Sequence, residues 1–157
     1  ATTAKTDPIR YHHDDVGFNY RLVNVLAAIG VAQLEQLAGF LSAKRAIANT
    51  YESSLEGVGD IRFQKSHVGV NPNHWLFTMQ TVRMEELLAF LNKNEVMSRP
   101  FWAPMSTLPM YENCHYVSRG DVSTMVHQSA LSLPCSTNLT REDQNFVIQK
   151  IRTFFSA

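Results

Sequence analysis

The stretch Val16-Gly17-Phe18-Asn19-Tyr20-Arg21-Leu22-Val23-Asn24 leads into the run Ala27-Ala28-Ile29-Gly30-Val31-Ala32-Gln33-Leu34-Glu35-Gln36-Leu37. A glycine permits a backbone turn, an amide can donate a hydrogen bond to an oxyanion, and a guanidinium group can bind phosphate or carboxylate through two hydrogen bonds. Placed just before a helix, Asn19 and Arg21 would form a local anion site. Taken alone, residues 17–21 favour a simpler interpretation, a surface turn with an exposed arginine.

The segment after this turn has the spacing of a long helix. From Asn24, a residue type that often caps helices, apolar residues recur every three or four positions as far as Leu55. The spacing predicts one long helix or a bent pair of helices that ends by Gly57. Because glycine inside a helix costs up to about 1 kcal/mol relative to alanine, a bend is expected near Gly39.

Shorter strands and helices are predicted after the long helix. Apolar patterns predict strands at 61–63, 75–82, 96–99 and 131–133. Helical spacing predicts helices at 84–94, near 122–126, and from Thr140 to near the end of the chain. Pro100 is expected to stop the third strand, and Asp143 occupies the capping-box position of the last helix. The pattern of elements predicts an α+β fold.

Composition sets limits on the class of protein. The 157 residues, of which 45% are hydrophobic, can bury one core and predict one compact domain. A formal net charge of zero argues against nucleic acid and anionic membranes as partners. No uncharged apolar run of about 18 residues and no signal-peptide pattern are seen, which predicts a cytoplasmic protein. Cys114 and Cys135 are too few for a disulfide scaffold and lack zinc-site spacing.

Four blocks of sequence together resemble the pyridoxal-phosphate sugar aminotransferases of the DegT/DnrJ/EryC1/StrS family, which place an amino group on a nucleotide-linked keto-sugar. The first block is Tyr11-His12-His13-Asp14 with the following Gly-x-Asn-x-Arg turn. The others follow in the family's order: Asn73-His74-Trp75-Leu76-Phe77, then Ser98-Arg99-Pro100-Phe101-Trp102-Ala103-Pro104, then Leu131-Ser132-Leu133-Pro134-Cys135-Ser136. The resemblance implies the small domain of fold-type I aminotransferases, with a small, mostly antiparallel sheet flanked by helices.

The resemblance implies a position for the cofactor phosphate. Asn19 would reach across a dimer to the pyridoxal phosphate held by the other subunit, and Arg21 would lie on the phosphate or substrate side. The family position of the chain also implies a division into an extended lead-in with the Gly-x-Asn-x-Arg loop, residues 1–23, and the aminotransferase small domain, residues 24–157.

The resemblance also implies substrate contacts. His12 or His13 would face the nucleotide-sugar, His74 would line the substrate pocket, Arg99 would hold a diphosphate and Trp102 a ring face. The residues alone leave simpler alternatives open, in which His74 is a satisfied histidine in an aromatic strand and Trp102 pins a proline-stiffened loop. A metal site at 12–15 is not expected, because adjacent residues cannot all converge on one ion without a further ligand.

A catalytic lysine is missing from the pattern. Aminotransfer through pyridoxal phosphate requires a lysine that binds the cofactor covalently. The lysines are Lys5, Lys44, Lys65, Lys93 and Lys150, and none has the family's Ser-x-x-Lys setting. We therefore predict that the chain alone has no catalytic residue, binds no cofactor and is inactive.

Two functions remain open on the sequence. The chain is a C-terminal part of a dimeric sugar aminotransferase, or it is a truncated, noncatalytic module that dimerises or binds a nucleotide-sugar. Both predict a homodimer with an exposed apolar patch around 27–32. The sequence of residues 108–114 resembles that of the family branch whose members make precursors of legionaminic acid and bacillosamine.

Overall fold

The computed structural model describes residue 18 and residues 20–156. The chain divides into two compact units, of which the first ends at Leu37 and the second begins at Ala38. The division after residue 23 implied by the resemblance stays a prediction. The elements that carry the candidate site all belong to the second unit.

One helix, α1 (Asn24–Leu55), covers the long periodic segment. It continues without interruption through Gly39, where no neighbouring atom lies close enough to demand a glycine. Of the two predicted arrangements, one long helix or a pair of helices, the structure shows the single long helix. Its length and composition would suffice to cross a membrane, a test that core helices of soluble proteins also pass.

The strands form one sheet in the order β1 (Arg62–Phe63), β2 (Phe77–Gln80), β4 (Ala130–Leu133), β3 (Arg99–Pro100). Every neighbouring pair is antiparallel. The α+β fold with a small antiparallel sheet is thereby confirmed, although β2 is shorter than the predicted 75–82 segment.

Pro100 is the last residue of β3, so the strand ends at this proline as predicted. It pairs with Leu131 in β3, which is the edge strand next to β4. An edge strand bonds on one side only, so a residue without an N–H can be accommodated there. Val96, assigned to the same strand from the sequence, instead lies three residues beyond the helix that ends at Lys93, and its N–H donates to the Leu91 carbonyl.

The shorter helices are α2 (Met84–Lys93), α3 (Val122–Ser129) and α4 (Arg141–Ser156). Thr140 caps α4 as predicted, because its Oγ1 accepts the Asp143 amide hydrogen bond at 3.1 Å. The reciprocal contact differs from a standard capping box. The Asp143 carboxylate accepts from the Thr140 hydroxyl at 2.7 Å instead of from its backbone.

The sheet has one apolar face and one polar face. Phe77 and Met79 of β2 join a single buried cluster with side chains from helices α1, α2 and α4. On the opposite face, Thr78 and Ser132 are paired in register and joined by a hydroxyl hydrogen bond of 3.0 Å. The helices of the core therefore leave the polar face of the sheet for other segments.

Asp60 fixes the connection from β2 into α2. Its carboxylate accepts hydrogen bonds from the Thr81 hydroxyl at 2.6 Å and the Val82 amide at 2.7 Å. Burial alone would raise the pKa of Asp60, but these hydrogen bonds outweigh it and hold the pKa below its ordinary value. The carboxylate thus stays charged and keeps both bonds at neutral pH.

A substitution at Gly59 tests the packing between the segment that follows α1 and the end of α4. Its φ is +56°, and an added Cβ would collide with the Phe155 ring. We expect Gly59→Ala to lose about 1–2 kcal/mol of unfolding free energy for the left-handed backbone and about 1–3 kcal/mol more for the overlap. Urea unfolding measures this loss.

The matched control for that substitution is Gly57→Ala. Gly57 also has a positive φ, +75°, but no atom lies within 4 Å of an added Cβ. Gly57→Ala should therefore lose only the about 1–2 kcal/mol of unfolding free energy that the left-handed backbone costs. Equal losses in the two variants would contradict the proposed contact with Phe155.

Candidate functional site

The only two tryptophans of the chain stack on each other. The ring centroids of Trp75 and Trp102 are 5.9 Å apart with an interplanar angle of 24°. Both side chains remain mostly exposed, at 66% and 60%. Phe101 packs against Trp102 edge to face at 5.3 Å. The result is a supported aromatic surface that a planar or ring-shaped ligand can reach.

A tight turn presents His74 beside this pair. His74 has a φ of +48°, in the left-handed region that few residues other than glycine adopt. The Oδ1 atom of Asn73 accepts the Trp75 N–H at 3.0 Å, which closes the turn around His74. The Val70-Asn71-Pro72-Asn73 stretch supplies residues typical of such turns, so the turn follows from the local sequence.

A groove of about 660 Å³ lies along the polar face of the sheet. The segment from Gln64 to Leu76 forms one side, and Thr78 and Gln80 of β2 line it from the sheet. Two imidazoles, His67 and His74, line the same groove. This space can accept a polar ligand with hydrogen-bonding groups along its length.

Arg99 and Trp102 lie near the opposite edge of the sheet and are not among the residues that line the groove. Arg99 is exposed and pairs with Ser132, so it belongs to the polar face. The segment between Arg99 and Trp102 is held by Phe101, whose N–H donates to Ala130 and whose carbonyl contacts His127 Nδ1 at 2.8 Å.

A smaller cavity of about 390 Å³ lies among loop residues after β3. Its lining includes Ser106, Tyr111, Cys114 and Tyr116. Cys114 is an exposed free thiol, and the other cysteine, Cys135, is buried. The hydroxyl groups and aromatic edges of this cavity suit a polar ligand.

Lys44 of α1 is committed to backbone carbonyls. Its Nζ donates to the Trp75 carbonyl at 2.9 Å and to the Cys135 carbonyl at 2.6 Å, and lies 3.5 Å from the Cys135 Sγ. Three N–H donors of one ammonium group thus have three acceptors.

Two of the four lysines in the described part of the chain are engaged in hydrogen bonds, and a third, Lys65, lines the groove. The cofactor needs a lysine amine available for covalent attachment and an acid facing its pyridinium nitrogen. Lys44 is held as described, and Lys150 donates to Asn94 Oδ1 at 2.9 Å. Lys65 and Lys93 are exposed on the surface.

The structure brings some of the predicted site residues together and leaves others apart. His74 and Trp102 are linked through Trp75, whereas Arg99 lies at the edge of the polar face. Arg21 is exposed in the first unit. His12, His13 and Asn19 lie outside the described residues. All of these assignments to ligand binding stay predictions. Within residues 18 and 20–156, no group of His, Cys, Asp or Glu side chains could hold a metal.

Sequence reasoning missed four residues of this site: Lys44, His67, Trp75 and His127. Trp75 was visible as an aromatic strand residue beside His74, but its partner Trp102 is 27 positions away (102 − 75). Lys44 contacts residues 31 and 91 positions away in the sequence, and His127 contacts a residue 26 positions away. The local sequence pattern gives no signal for contacts between such distant residues.

The sequence pattern of the DegT/DnrJ/EryC1/StrS aminotransferase family matches residues 2–152. The chain is 35% identical over 152 residues to GDP-perosamine synthase of Vibrio cholerae, covering 94% of this chain and 41% of that protein. It is 28% identical to the putative pyridoxal phosphate-dependent aminotransferase EpsN of Bacillus subtilis, covering 99% of this chain and 42% of EpsN.

The fold agrees with solved aminotransferase structures. The structure of Streptomyces venezuelae DesV in complex with a ketimine intermediate superposes with a TM-score of 0.82, at 25% identity, over 96% of this chain and 41% of that one. The chain spans about 40% of the length of the curated relatives it matches. It belongs to the DegT/DnrJ/EryC1/StrS aminotransferase family.

Proposed function

We propose that this chain is the C-terminal part of a pyridoxal-phosphate-dependent sugar aminotransferase of the cytoplasm. The whole enzyme transfers an amino group from glutamate to a nucleotide-linked 4-keto-sugar for bacterial surface polysaccharide. In this proposal the present chain recognises the substrate and does no bond-making chemistry. The observation that carries it is the exposed Trp75–Trp102 stack beside His74, at a groove 660 Å³ in volume.

The groups at this surface suit the parts of a nucleotide-sugar. Aromatic faces stack on bases and pack against the C–H groups of sugar rings. The guanidinium of Arg99 can hold a diphosphate through two hydrogen bonds, and it is exposed on the same polar face as Thr78 and Ser132. His74 lines the groove and offers a donor or an acceptor to sugar hydroxyls.

The relatives favour one nucleotide for the first test. Three of them, with 31–35% identity, are named GDP-perosamine synthase. We therefore propose a GDP-linked sugar as the first substrate to examine. The resemblance of residues 108–114 to the legionaminic-acid branch stays a prediction. UDP- and dTDP-linked sugars are therefore tested beside the GDP-linked sugar.

Tryptophan fluorescence tests substrate recognition directly, because the only two tryptophans form the proposed surface. A GDP-sugar should quench the emission saturably. Trp102→Leu should raise the Kd on the order of tenfold, since stacking contributes about 1–3 kcal/mol. Arg99→Met should raise it by a similar factor. The matched control is Arg141→Met, which removes an exposed arginine at the start of α4.

Three outcomes decide this prediction. Saturable quenching that is weakened by both site variants and kept by the control supports recognition at the tryptophan pair. Equal affinity in Trp102→Leu and wild type would place the ligand elsewhere. If no nucleotide-sugar binds at millimolar concentration, the proposal that this surface binds the substrate is contradicted.

Inactivity of the isolated chain is a second expected outcome. Lys44 and Lys150 are occupied by hydrogen bonds and Lys65 and Lys93 are exposed, so we expect no single lysine to be favoured as the covalent site for the cofactor. Pyridoxal phosphate followed by borohydride should label lysines weakly and at several positions, as peptide mass mapping would show. One saturable modified lysine, or amino-sugar formation with glutamate and a keto-sugar nucleotide, would contradict the prediction.

The apolar surface of the first unit supports assembly with a second copy. Large apolar side chains between Phe18 and Leu37 are exposed, including Ile29 at 55% and Leu34 at 68%. They point in several directions around α1, and a helix that is apolar on all sides is normally surrounded by protein. A symmetric dimer covers such a surface without requiring another gene product.

Light scattering measures this self-association. We expect the wild-type chain to be larger than a 17.8 kDa monomer and the double variant Ile29→Glu/Leu34→Glu to shift toward it. Val117→Glu is the control, because Val117 is also apolar and 77% exposed but lies outside the helix. A monomeric wild type at high concentration, or equal shifts in both variants, would count against the dimer.

The noncatalytic module is the alternative function. Unit 38–157 has its own buried cluster and contains both the groove and the tryptophan pair. A unit of this kind could bind a ligand without a catalytic partner. An upstream reading frame that encodes the lysine domain would favour the aminotransferase, and a translation start close to Ala1 would favour the module.

A further inference from the structure

The ladder between β2 and β4 stops abruptly beside the tryptophan pair. Its last matched pair is Phe77 with Leu133, and the same alignment continued by two residues would place Trp75 opposite Cys135. Neither Trp75 nor Cys135 belongs to a strand, and the ladder is not continued beyond Phe77 and Leu133. The carbonyls of Trp75 and Cys135 therefore lie at the open end of the two strands without strand partners.

Lys44 occupies the place where the ladder ends. Its ammonium group donates to both carbonyls, at 2.9 Å to Trp75 and 2.6 Å to Cys135. The Cys135 thiol adds a weak contact to the Trp75 carbonyl at 3.7 Å. A charged donor between two carbonyls forms stronger hydrogen bonds than a neutral amide would. One side chain from α1 thus joins the ends of both strands.

Trp75 is consequently held on both sides of its backbone. Asn73 Oδ1 accepts its N–H at 3.0 Å, and Lys44 binds its carbonyl. Its side chain is 66% exposed, so packing in the core does not fix the ring. The position of the Trp75 ring, and through the stack that of Trp102, depends on these backbone bonds.

We propose that Lys44 is a positioning residue for ligand recognition, which through the Trp75 carbonyl holds the Trp75–Trp102 stack and the His74 turn in their binding arrangement. This inference rests on the proposed function, in which that stack receives the ring of a nucleotide-sugar. A surface held in place before the ligand arrives loses less conformational freedom on binding. Removal of Lys44 should therefore weaken binding although Lys44 itself touches no ligand.

The test compares Lys44→Met, Lys44→Arg and Lys150→Met with the wild-type chain. Methionine keeps the length of the side chain and removes its donors, whereas arginine restores charged donors. Lys150 is the control, because it is also a half-buried lysine that donates to a side chain, Asn94, away from the tryptophans. Near-ultraviolet circular dichroism reports the coupling of the two indoles, and fluorescence titration with a GDP-sugar reports affinity.

We expect Lys44→Met to change the indole circular dichroism and to raise the Kd on the order of tenfold. Lys44→Arg should recover most of both signals. Lys150→Met should lower the melting temperature and leave both unchanged. Wild-type circular dichroism and affinity in Lys44→Met would overturn the inference, and so would identical spectral changes in Lys150→Met, since those would reflect general loosening.

If Lys44→Met does not fold, Lys44→Gln replaces it in both measurements. Its shorter side chain carries two N–H donors and no charge, so it should fold with an altered indole signal. An unaltered signal and affinity would overturn the inference. The circular dichroism needs no ligand, so a wild-type chain that binds no nucleotide-sugar would count against the proposed function, while the spectra would still decide the role of Lys44.

Discussion

Tyr51 couples the long helix to the sheet, and the groove depends on that coupling. Its ring is fully buried and stacks on Phe77 of β2 with centroids 4.9 Å apart. Its hydroxyl donates to the Pro134 carbonyl at 2.8 Å, just after β4. Burial raises the pKa of Tyr51 well above its ordinary value, and the Cys135 thiol adds to the rise, so the hydroxyl remains a donor at neutral pH. One residue thereby fixes two strands against α1.

The two parts of α1 follow different physical rules. From residue 38 onward the helix is amphipathic in effect, with Ile47, Ala48, Tyr51 and Leu55 buried in the core. Before residue 38 its apolar side chains are exposed. A sequence apolar on several sides is stable in water only when other chains or domains cover it. The chain covers about 40% of the length of the relatives it matches.

Repetition along the chain made most of the fold predictable. Regular apolar spacing is a local property, so α1, α2, α4 and β2 were identified at nearly correct positions. The end of β3 at Pro100 was predictable, but its place at the edge of the sheet was not, because strand order is not written in local sequence. The turn at His74 was predictable from Asn71, Pro72 and Asn73.

The site was less predictable than the fold because its contacts are distant in sequence. The resemblance singled out His74, Arg99 and Trp102 as candidates. It could not show that Trp75 would stack on Trp102, because that contact requires β2 and the segment after β3 to lie on either side of β4. The proposed role of Lys44 depends on the end of the β2–β4 ladder before Trp75 and Cys135, which only the structure reveals.

The proposed division between recognition and chemistry rests on how Lys44 uses its N–H donors. A lysine that forms a covalent bond to a cofactor must at times lose its proton and have its nitrogen lone pair free. Lys44 instead uses its N–H donors on the Trp75 and Cys135 carbonyls, and charge makes these bonds stronger. The same bonds that we propose to order the Trp75–Trp102 stack therefore occupy the N–H donors of Lys44 and leave its nitrogen no free lone pair for a covalent bond.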